Sequence, residues 1–100
     1  PYLVITENGS SYDDVKVDGE VLDTKRTAYL VAHLQSLQNA IAEGAPVQGY
    51  FAWSLLDNFE WAEGYAKRFG IVHVDYQTFE RTPKTSFKKY KEIIAANTAI

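Results

Sequence analysis

Two runs of consecutive apolar residues, about forty positions apart, dominate the first half of the chain. Leu3 to Thr6 is apolar and β-branched, and Val47 to Leu55 is almost entirely apolar. Continuous rather than alternating hydrophobicity predicts strands that are buried on both faces of a parallel sheet. Acidic turns follow both runs, at Glu7 and at Asp57 to Glu60.

A helix is predicted between the two strands. It starts at a cap formed by Asp23 or Thr24 and ends at Gly44, with Pro46 beyond it. Asp23 and Arg26, three residues apart at its start, are interpreted as a cap and a local ion pair. The apolar stripe that the helix buries recurs at three- and four-residue spacing: Leu30, Leu34, Leu37 and Ile41.

The remaining segments have weaker patterns. The polar stretch from Ser10 to Glu20 predicts an exposed loop without fixed structure. Residues 68–76 alternate loosely, which indicates a short hairpin or an irregular extended segment. A last helix is predicted to open at Thr82-Pro83, with Pro83 in its first turn, and the basic group from Lys84 to Lys91 is interpreted as its solvated face. The apolar stripe of this helix is Phe87, Tyr90 and Ile94.

The order of elements predicts an α/β fold. A strand, a helix and a second strand form a right-handed βαβ unit when the strands are parallel. Both acidic turns then follow the carboxyl ends of neighbouring strands, the sheet edge at which α/β proteins build their active sites.

Composition excludes several classes of partner. The net charge is −3, so there is no basic surface for nucleic acid or anionic lipid, and no run approaches the ~18 apolar residues of a membrane span. The chain has no cysteine, which excludes a thiolate metal site, and neither a metal nor a cofactor is expected. A cytoplasmic location fits the composition. The chain starts at Pro1, inside an apolar run, so residues 1–100 are expected to be one segment of a longer protein.

The turn after the second strand has the composition of a sugar-binding site. Trp53, Glu60 and Trp61 combine indole faces, which stack on pyranose rings, with a carboxylate that accepts hydrogen bonds from hydroxyls. Core packing is the alternative for the two tryptophans. Core packing does not account for Glu60, because a buried carboxylate without a partner is costly. Asp57 and Asn58 are interpreted as residues that shape the turn through hydrogen bonds to the backbone.

Three stretches of the chain resemble the C-terminal signatures of family 1 glycoside hydrolases, in matching order and spacing. They are Tyr2-Leu3-Val4-Ile5-Thr6-Glu7-Asn8-Gly9, Gly49 to Trp61, and Arg68-Phe69-Gly70-Ile71. The resemblance implies that residues 1–100 are the last two β/α units of a (β/α)8 TIM barrel, strands seven and eight with their helices. It also implies a retaining β-glycosidase, with Glu7 of the Ile-Thr-Glu-Asn-Gly motif as the catalytic nucleophile. Without that context, a Glu before Asn-Gly is more often a turn residue.

The same resemblance assigns binding roles to four residues. It implies that Glu60 and Trp61 bind hydroxyls of the glycone, that Trp53 is a platform beneath the ring, and that Phe69 is a wall of the pocket. A branch of the family that acts on 6-phosphorylated sugars has Ser at the position of Glu60. A carboxylate would repel phosphate, so the resemblance implies an unphosphorylated glycone, with glucose expected first and galactose or fucose tolerated.

One catalytic carboxylate is missing from the chain. Retaining hydrolysis needs a proton donor about 5 to 5.5 Å from the nucleophile, and the family's acid/base Glu lies in a Thr-x-Asn-Glu-Pro motif. These 100 residues contain no Asn-Glu-Pro. The isolated chain is therefore expected to be inactive and to need the remainder of the barrel as its partner. The alternative is a non-catalytic quarter-barrel that serves as a scaffold or carbohydrate-binding module.

Overall fold

The two predicted strands pair in parallel with a helix between them. The computed structural model describes residues 1–99, in which β1 is Leu3–Asn8, α1 is Thr24–Ala42 and β2 is Val47–Ala52. Residue partners across the pair include Ile5 with Tyr50 and Asn8 with Ala52. The strand–helix–strand prediction is confirmed, and the carboxyl ends of β1 and β2 lie at the same sheet edge.

Residues 1–99 do not by themselves bury β1 and β2 on both faces. Leu3 is 54% exposed, Val4 47% and Phe51 60%. Within the described residues, β1 and β2 form a two-stranded sheet of their own. Each strand then has one unpaired edge, and the sheet is not covered on both faces. Apolar side chains therefore remain in solvent.

Helix α1 buries only the first part of its predicted stripe. Leu30 is 3% exposed, whereas Ile41, near the other end, is 45% exposed. Asp23 occupies the N-cap position, but its carboxylate makes no capping hydrogen bond to the helix. It binds the Arg26 guanidinium at 2.7 Å instead, which confirms the predicted local ion pair.

The second half of the chain forms a hairpin and a helix. A single 3₁₀ turn, Trp61–Glu63, precedes β3 (Val72–Val74), which pairs antiparallel with β4 (Arg81–Pro83). The segment predicted at residues 68–76 is extended and contains β3, but its partner strand β4 lies beyond that range, at residues predicted to open the last helix. No helix within residues 1–99 has the length and apolar content needed to cross a membrane.

The last helix, α2, spans Thr85–Ala96 and begins later than predicted. Pro83 lies in β4 rather than in the first helical turn. Lys84 follows in an extended conformation because its N–H donates to the Ile71 carbonyl at 2.9 Å, which continues the strand-like contact by one residue. Ile94, predicted in the buried stripe, is 63% exposed.

A small hydrophobic core lies between the helices and the hairpin. Leu30, Ile71 and Val72 are buried together, and part-buried side chains pack against them: Ala52, Leu56, Phe87 and Tyr90. This core joins the end of β2 to both helices. It therefore fixes the position of the acidic turn that follows β2.

Two expectations about polar segments are wrong. The loop at Ser10 to Glu20 is not without fixed structure, because the Asp14 side chain is 3% exposed and forms ion pairs with Arg26 and Lys84. Lys84 is not on a solvated face either, since it is fully buried. Each charge is buried because it has an opposite charge within hydrogen-bond distance.

Candidate active site

Glu7 lies at the carboxyl end of β1, one residue before the strand ends, and its side chain is exposed. The next residue, Asn8, pairs with β2, and its carbonyl accepts a hydrogen bond from the Trp53 N–H at 2.8 Å. A Cβ at Gly9 would lie 1.9 Å from the Trp53 carbonyl oxygen. Only glycine permits that approach, so the Asn-Gly sequence brings the Glu7 turn against the residue predicted to support a sugar.

The amide side chain of Asn8 is held from both sides. Tyr50 on β2 donates its hydroxyl proton to Asn8 Oδ1 at 2.8 Å, and Asn8 Nδ2 donates to the Tyr29 hydroxyl on α1 at 3.2 Å. Burial raises the pKa of Tyr50 to about 12, with further contributions from Tyr90 and Tyr29. Sequence reasoning missed this arrangement, because Tyr50 reads there as one more apolar strand residue.

Trp53 and Glu60 are joined directly. The Trp53 indole N–H donates to Glu60 Oε1 at 2.9 Å, and the peptide bond between Trp53 and Ser54 is cis. Glu60 is half-buried and Trp53 is 39% exposed. Within residues 1–99 Trp53 is not packed in the core, and one half-exposed indole stands beside one carboxylate.

Trp61 and Phe69 lie on the loop that follows. The Trp61 side chain is 88% exposed, and the residue has a positive φ of 43° where it begins the 3₁₀ turn. This indole is not packed in the core of residues 1–99 either. Phe69 is half-buried, and its carbonyl accepts from the Ser54 N–H at 3.1 Å, so its backbone is held next to Trp53.

Asp57 has a larger role than the sequence indicated. Its carboxylate accepts from the Gly70 and Val74 N–H groups at 3.0 and 3.3 Å, which confirms the predicted backbone hydrogen bonds. It also forms ion pairs with Arg68 at 2.6 Å and Lys84 at 2.8 Å. Burial alone would raise the pKa of the Asp57 carboxyl, but hydrogen bonds and charge from Lys84 and Arg68 outweigh burial and lower it.

This arrangement has the parts needed to hold a polar ring beside an exposed carboxylate. An exposed carboxylate, Glu7, ends one strand, while Trp53 and Glu60 follow the neighbouring strand. A half-exposed indole offers a face for stacking, and a carboxylate oxygen of Glu60 remains available for hydroxyl donors. Within residues 1–99, no group of three or more His, Cys, Asp and Glu side chains is placed to hold a metal ion.

Comparison with known proteins decides the family. The model for glycosyl hydrolase family 1 matches residues 1–99, which is the whole described chain. The chain belongs to this family. This family 1 segment is 55% identical over 98 residues to beta-glucosidase A of Thermotoga maritima, covering 97% of the chain and 22% of that protein.

A second relative is matched over the same shares of the two chains. The segment is 52% identical over 102 residues to the bifunctional beta-D-glucosidase/beta-D-fucosidase of Bifidobacterium breve, again covering 97% of the chain and 22% of that protein. The chain thus spans about a fifth of the length of the curated relatives that it matches.

Solved structures share the fold of this family 1 segment. It superimposes with a TM-score of 0.96, at 54% identity, on the beta-glucosidase from Thermotoga maritima in complex with deoxynojirimycin, covering 98% of this chain and 23% of that one. The structure of the same enzyme in complex with noeuromycin gives the same values. The segment is therefore part of a TIM barrel.

Proposed function

We propose that this chain supplies strands seven and eight, with their helices, to the barrel of a retaining β-glucosidase. In that assignment β1 is strand seven and β2 is strand eight. The observation that carries the proposal is the placement of Glu7 at the end of β1, next to the hydrogen-bonded Trp53–Glu60 pair at the end of β2. Membership of family 1 and relatives named as β-glucosidases support the substrate class.

Glu7 is the nucleophile in the proposed mechanism. Its carboxylate attacks the anomeric carbon, the bond from that carbon to the aglycone oxygen breaks, and a proton from the acid/base carboxyl neutralises the leaving oxygen. Water then attacks the glycosyl-enzyme ester while the second carboxylate accepts its proton, which releases the sugar and restores Glu7. The acid/base group belongs to the remainder of the barrel.

The residues after β2 bind the glycone. Trp53 supports the ring, Phe69 forms a wall, and Glu60 and Trp61 bind hydroxyls on the side away from the bond that breaks. The Trp53 N–H holds one oxygen of Glu60, so the other oxygen faces the sugar hydroxyls in a fixed direction. A carboxylate at this position disfavours a phosphorylated sugar, and unphosphorylated glucose is the proposed glycone.

The test uses a complete barrel made from this chain. Residues 1–99 replace the matching segment of Thermotoga maritima beta-glucosidase A, and this chimeric barrel is incubated with p-nitrophenyl β-D-glucoside. We expect hydrolysis, and we expect a 2-fluoro glucoside to trap a covalent adduct that peptide mass spectrometry assigns to Glu7. A Glu7→Gln variant should lose activity by about 10³-fold or more, because no carboxylate remains to form the ester.

The unmodified Thermotoga maritima enzyme is the control for assay conditions. A folded chimeric barrel that hydrolyses nothing would contradict the proposal. A barrel that binds glucose analogues but is never labelled would instead support a carbohydrate-binding segment without catalysis.

A further inference from the structure

Six charged side chains form one buried network beneath the candidate site. Five of them are at most 3% exposed, and Arg68 is 19% exposed. Three are carboxylates and three are cations, so the network is neutral overall. Its members are Asp14, Asp23, Arg26, Asp57, Arg68 and Lys84.

Asp57 closes the loop that carries the proposed glycone-binding residues. The loop runs from Asp57 to Gly70, and Asp57 Oδ1 accepts from the Gly70 N–H at 3.0 Å while Oδ2 accepts from Arg68 Nη1 at 2.6 Å. A Cβ at Gly70 would lie 2.3 Å from the Asp57 backbone nitrogen. The two ends of the loop are therefore in direct contact, and a single carboxylate joins them.

Arg68 extends this contact along the loop towards Glu60. Its guanidinium lies 4.6 Å from the centre of the Tyr76 ring, and Tyr76 contacts Tyr65 with ring centres 4.8 Å apart. Tyr65 in turn contacts Phe59 at 5.4 Å. Phe59 precedes Glu60 directly, so contacts lead without interruption from the Asp57 ion pair to the backbone of Glu60.

Lys84 connects the same carboxylate to the rest of the chain. Its Nζ donates to Asp57 Oδ1 at 2.8 Å, to Asp14 Oδ2 at 2.6 Å and to the Gly70 carbonyl at 2.6 Å. Three acceptors satisfy all three of its protons. Because Lys84 precedes α2, this ammonium fixes the loop to a helix that packs against the core.

Burying this many charges contributes little net free energy to the stability of a fold. Desolvation offsets most of the attraction within a buried ion pair, and apolar residues of the same volume are often as stable. Such a network instead restricts the number of conformations, because each donor has defined acceptors. Its position at the base of the loop restricts the loop that carries Glu60 and Trp61.

We propose that Asp57, Arg68 and Lys84 are positioning residues that fix the Glu60 carboxylate against the glycone hydroxyls. The inference rests on the proposed function, since it assigns these residues to the recognition of the same sugar. The Asp57 and Lys84 side chains are fully buried and Arg68 is 19% exposed, so none of the three is assigned to contact with the sugar. Their effect reaches the sugar through Glu60, which makes it specific to the hydroxyls that Glu60 binds.

The test measures Lys84→Met, Asp57→Asn and Arg68→Lys in the chimeric barrel with four p-nitrophenyl glucosides. These are the β-D-glucoside and its 2-deoxy, 4-deoxy and 6-deoxy analogues. We expect kcat/KM on the glucoside to fall about 10- to 100-fold in Lys84→Met, the value of a misaligned hydrogen bond to a charged group. On the 4-deoxy or 6-deoxy substrate the same variant should lose about threefold or less, because the misaligned hydroxyl is absent.

The 2-deoxy glucoside and one surface variant provide the controls. The 2-hydroxyl lies next to the anomeric carbon, far from the side of the ring assigned to Glu60, so its removal should leave the full penalty of Lys84→Met. Lys89→Met removes a half-exposed lysine of α2, paired with Glu92 at 3.7 Å, and should alter none of the four rates. Arg68→Lys retains the positive charge but loses the planar guanidinium. Its loss of kcat/KM should be smaller than that of Lys84→Met, with the same dependence on substrate.

An equal loss of kcat/KM on all four substrates would overturn the proposal. Loss of the folded barrel in all three variants would also overturn it. In either case the network would only stabilise the fold. Both outcomes differ from failure of the proposed function. In that case the unsubstituted chimeric barrel would itself fail to hydrolyse the glucoside.

Discussion

At the scale of single residues, the site depends on side chains that read as ordinary strand and helix positions. Asn8 follows the proposed nucleophile directly, and its amide is fixed by hydroxyls from Tyr50 and Tyr29. Neither tyrosine has a local sequence signal for that contact, because the partners are 21 and 42 residues away. The orientation of the strand end is thus set by contacts between distant residues that no local pattern predicts.

We expect Tyr50→Phe to lower the free energy of unfolding of the chimeric barrel by about 1–3 kcal/mol, because Asn8 Oδ1 loses its donor. Burial raises the pKa of Tyr50 to about 12 from 10.0, so the fold favours the protonated phenol. This stabilisation is complete below pH 10 and is lost as the pH rises through about 12. Denaturant unfolding at pH 8 and at several pH values above 10 measures the free energy of unfolding of both barrels. The difference between the variant and the unsubstituted barrel should become smaller as the pH rises.

Tyr2→Phe is the matched control, because Tyr2 is 73% exposed. It should leave stability unchanged at each pH. Equal stability of the two variants at pH 8 would show that the Tyr50 hydroxyl does not hold Asn8.

At the scale of elements, one aspartate connects the starts of both helices. Asp23 precedes α1, and its carboxylate accepts from the Ser86 N–H at 2.8 Å and hydroxyl at 2.5 Å in the first turn of α2. The same carboxylate binds Arg26 at 2.7 Å. The sequence predicted a cap for one helix, whereas the structure uses this residue to join two.

We expect Asp23→Asn to destabilise the chimeric barrel by about 3 kcal/mol, because Arg26 loses one of its two buried carboxylates and Ser86 loses a charged acceptor. Denaturant unfolding measures the change. Asp13→Asn, at an exposed position of the preceding loop, should change stability by no more than about 0.5 kcal/mol. A loss that is the same in both variants would mean that net charge, rather than the contact between the helices, sets stability.

Elements with a local pattern could be predicted from the sequence, and elements defined by distant partners could not. Apolar runs identified β1 and β2, and three- and four-residue spacing identified α1. Lys84 was assigned to a solvated face because its acceptors, Asp14 and Asp57, lie 70 and 27 residues away. A buried ion pair between residues so far apart in sequence leaves no periodic pattern from which it could be predicted.

In the candidate site too, residues within local motifs could be predicted from the sequence, and residues defined by distant contacts could not. The motifs identified Glu7, Trp53 and Glu60, and the structure brings the Glu7 strand end, Trp53 and Glu60 to one sheet edge. The side chains that support the loop, including Arg68, were not identified as a group. Their role depends on how residues 57–70 close on themselves, which becomes visible only in three dimensions.

At the scale of the whole molecule, the chain exposes more surface than a self-contained protein of its mass. Its accessible surface is 6724 Å², whereas a folded monomer of 11.3 kDa has about 5,700 Å². Its radius of gyration is 14.5 Å, against about 13 Å for a compact domain of 100 residues. The excess agrees with the exposed apolar side chains on β1 and β2, which include Leu3, Val4 and Phe51.

We therefore expect the isolated 100-residue chain to self-associate and to hydrolyse no β-glucoside. Two unpaired strand edges and an uncovered apolar face favour association with other copies, and the proton donor of the proposed mechanism is absent from the sequence. Size-exclusion chromatography with light scattering measures the association, and p-nitrophenol release measures hydrolysis, with the chimeric barrel as the active control. A monomeric chain that hydrolyses the glucoside would mean that a second carboxylate within these residues completes the chemistry. In that case Glu60, which is assigned to binding, would have to be tested as the proton donor.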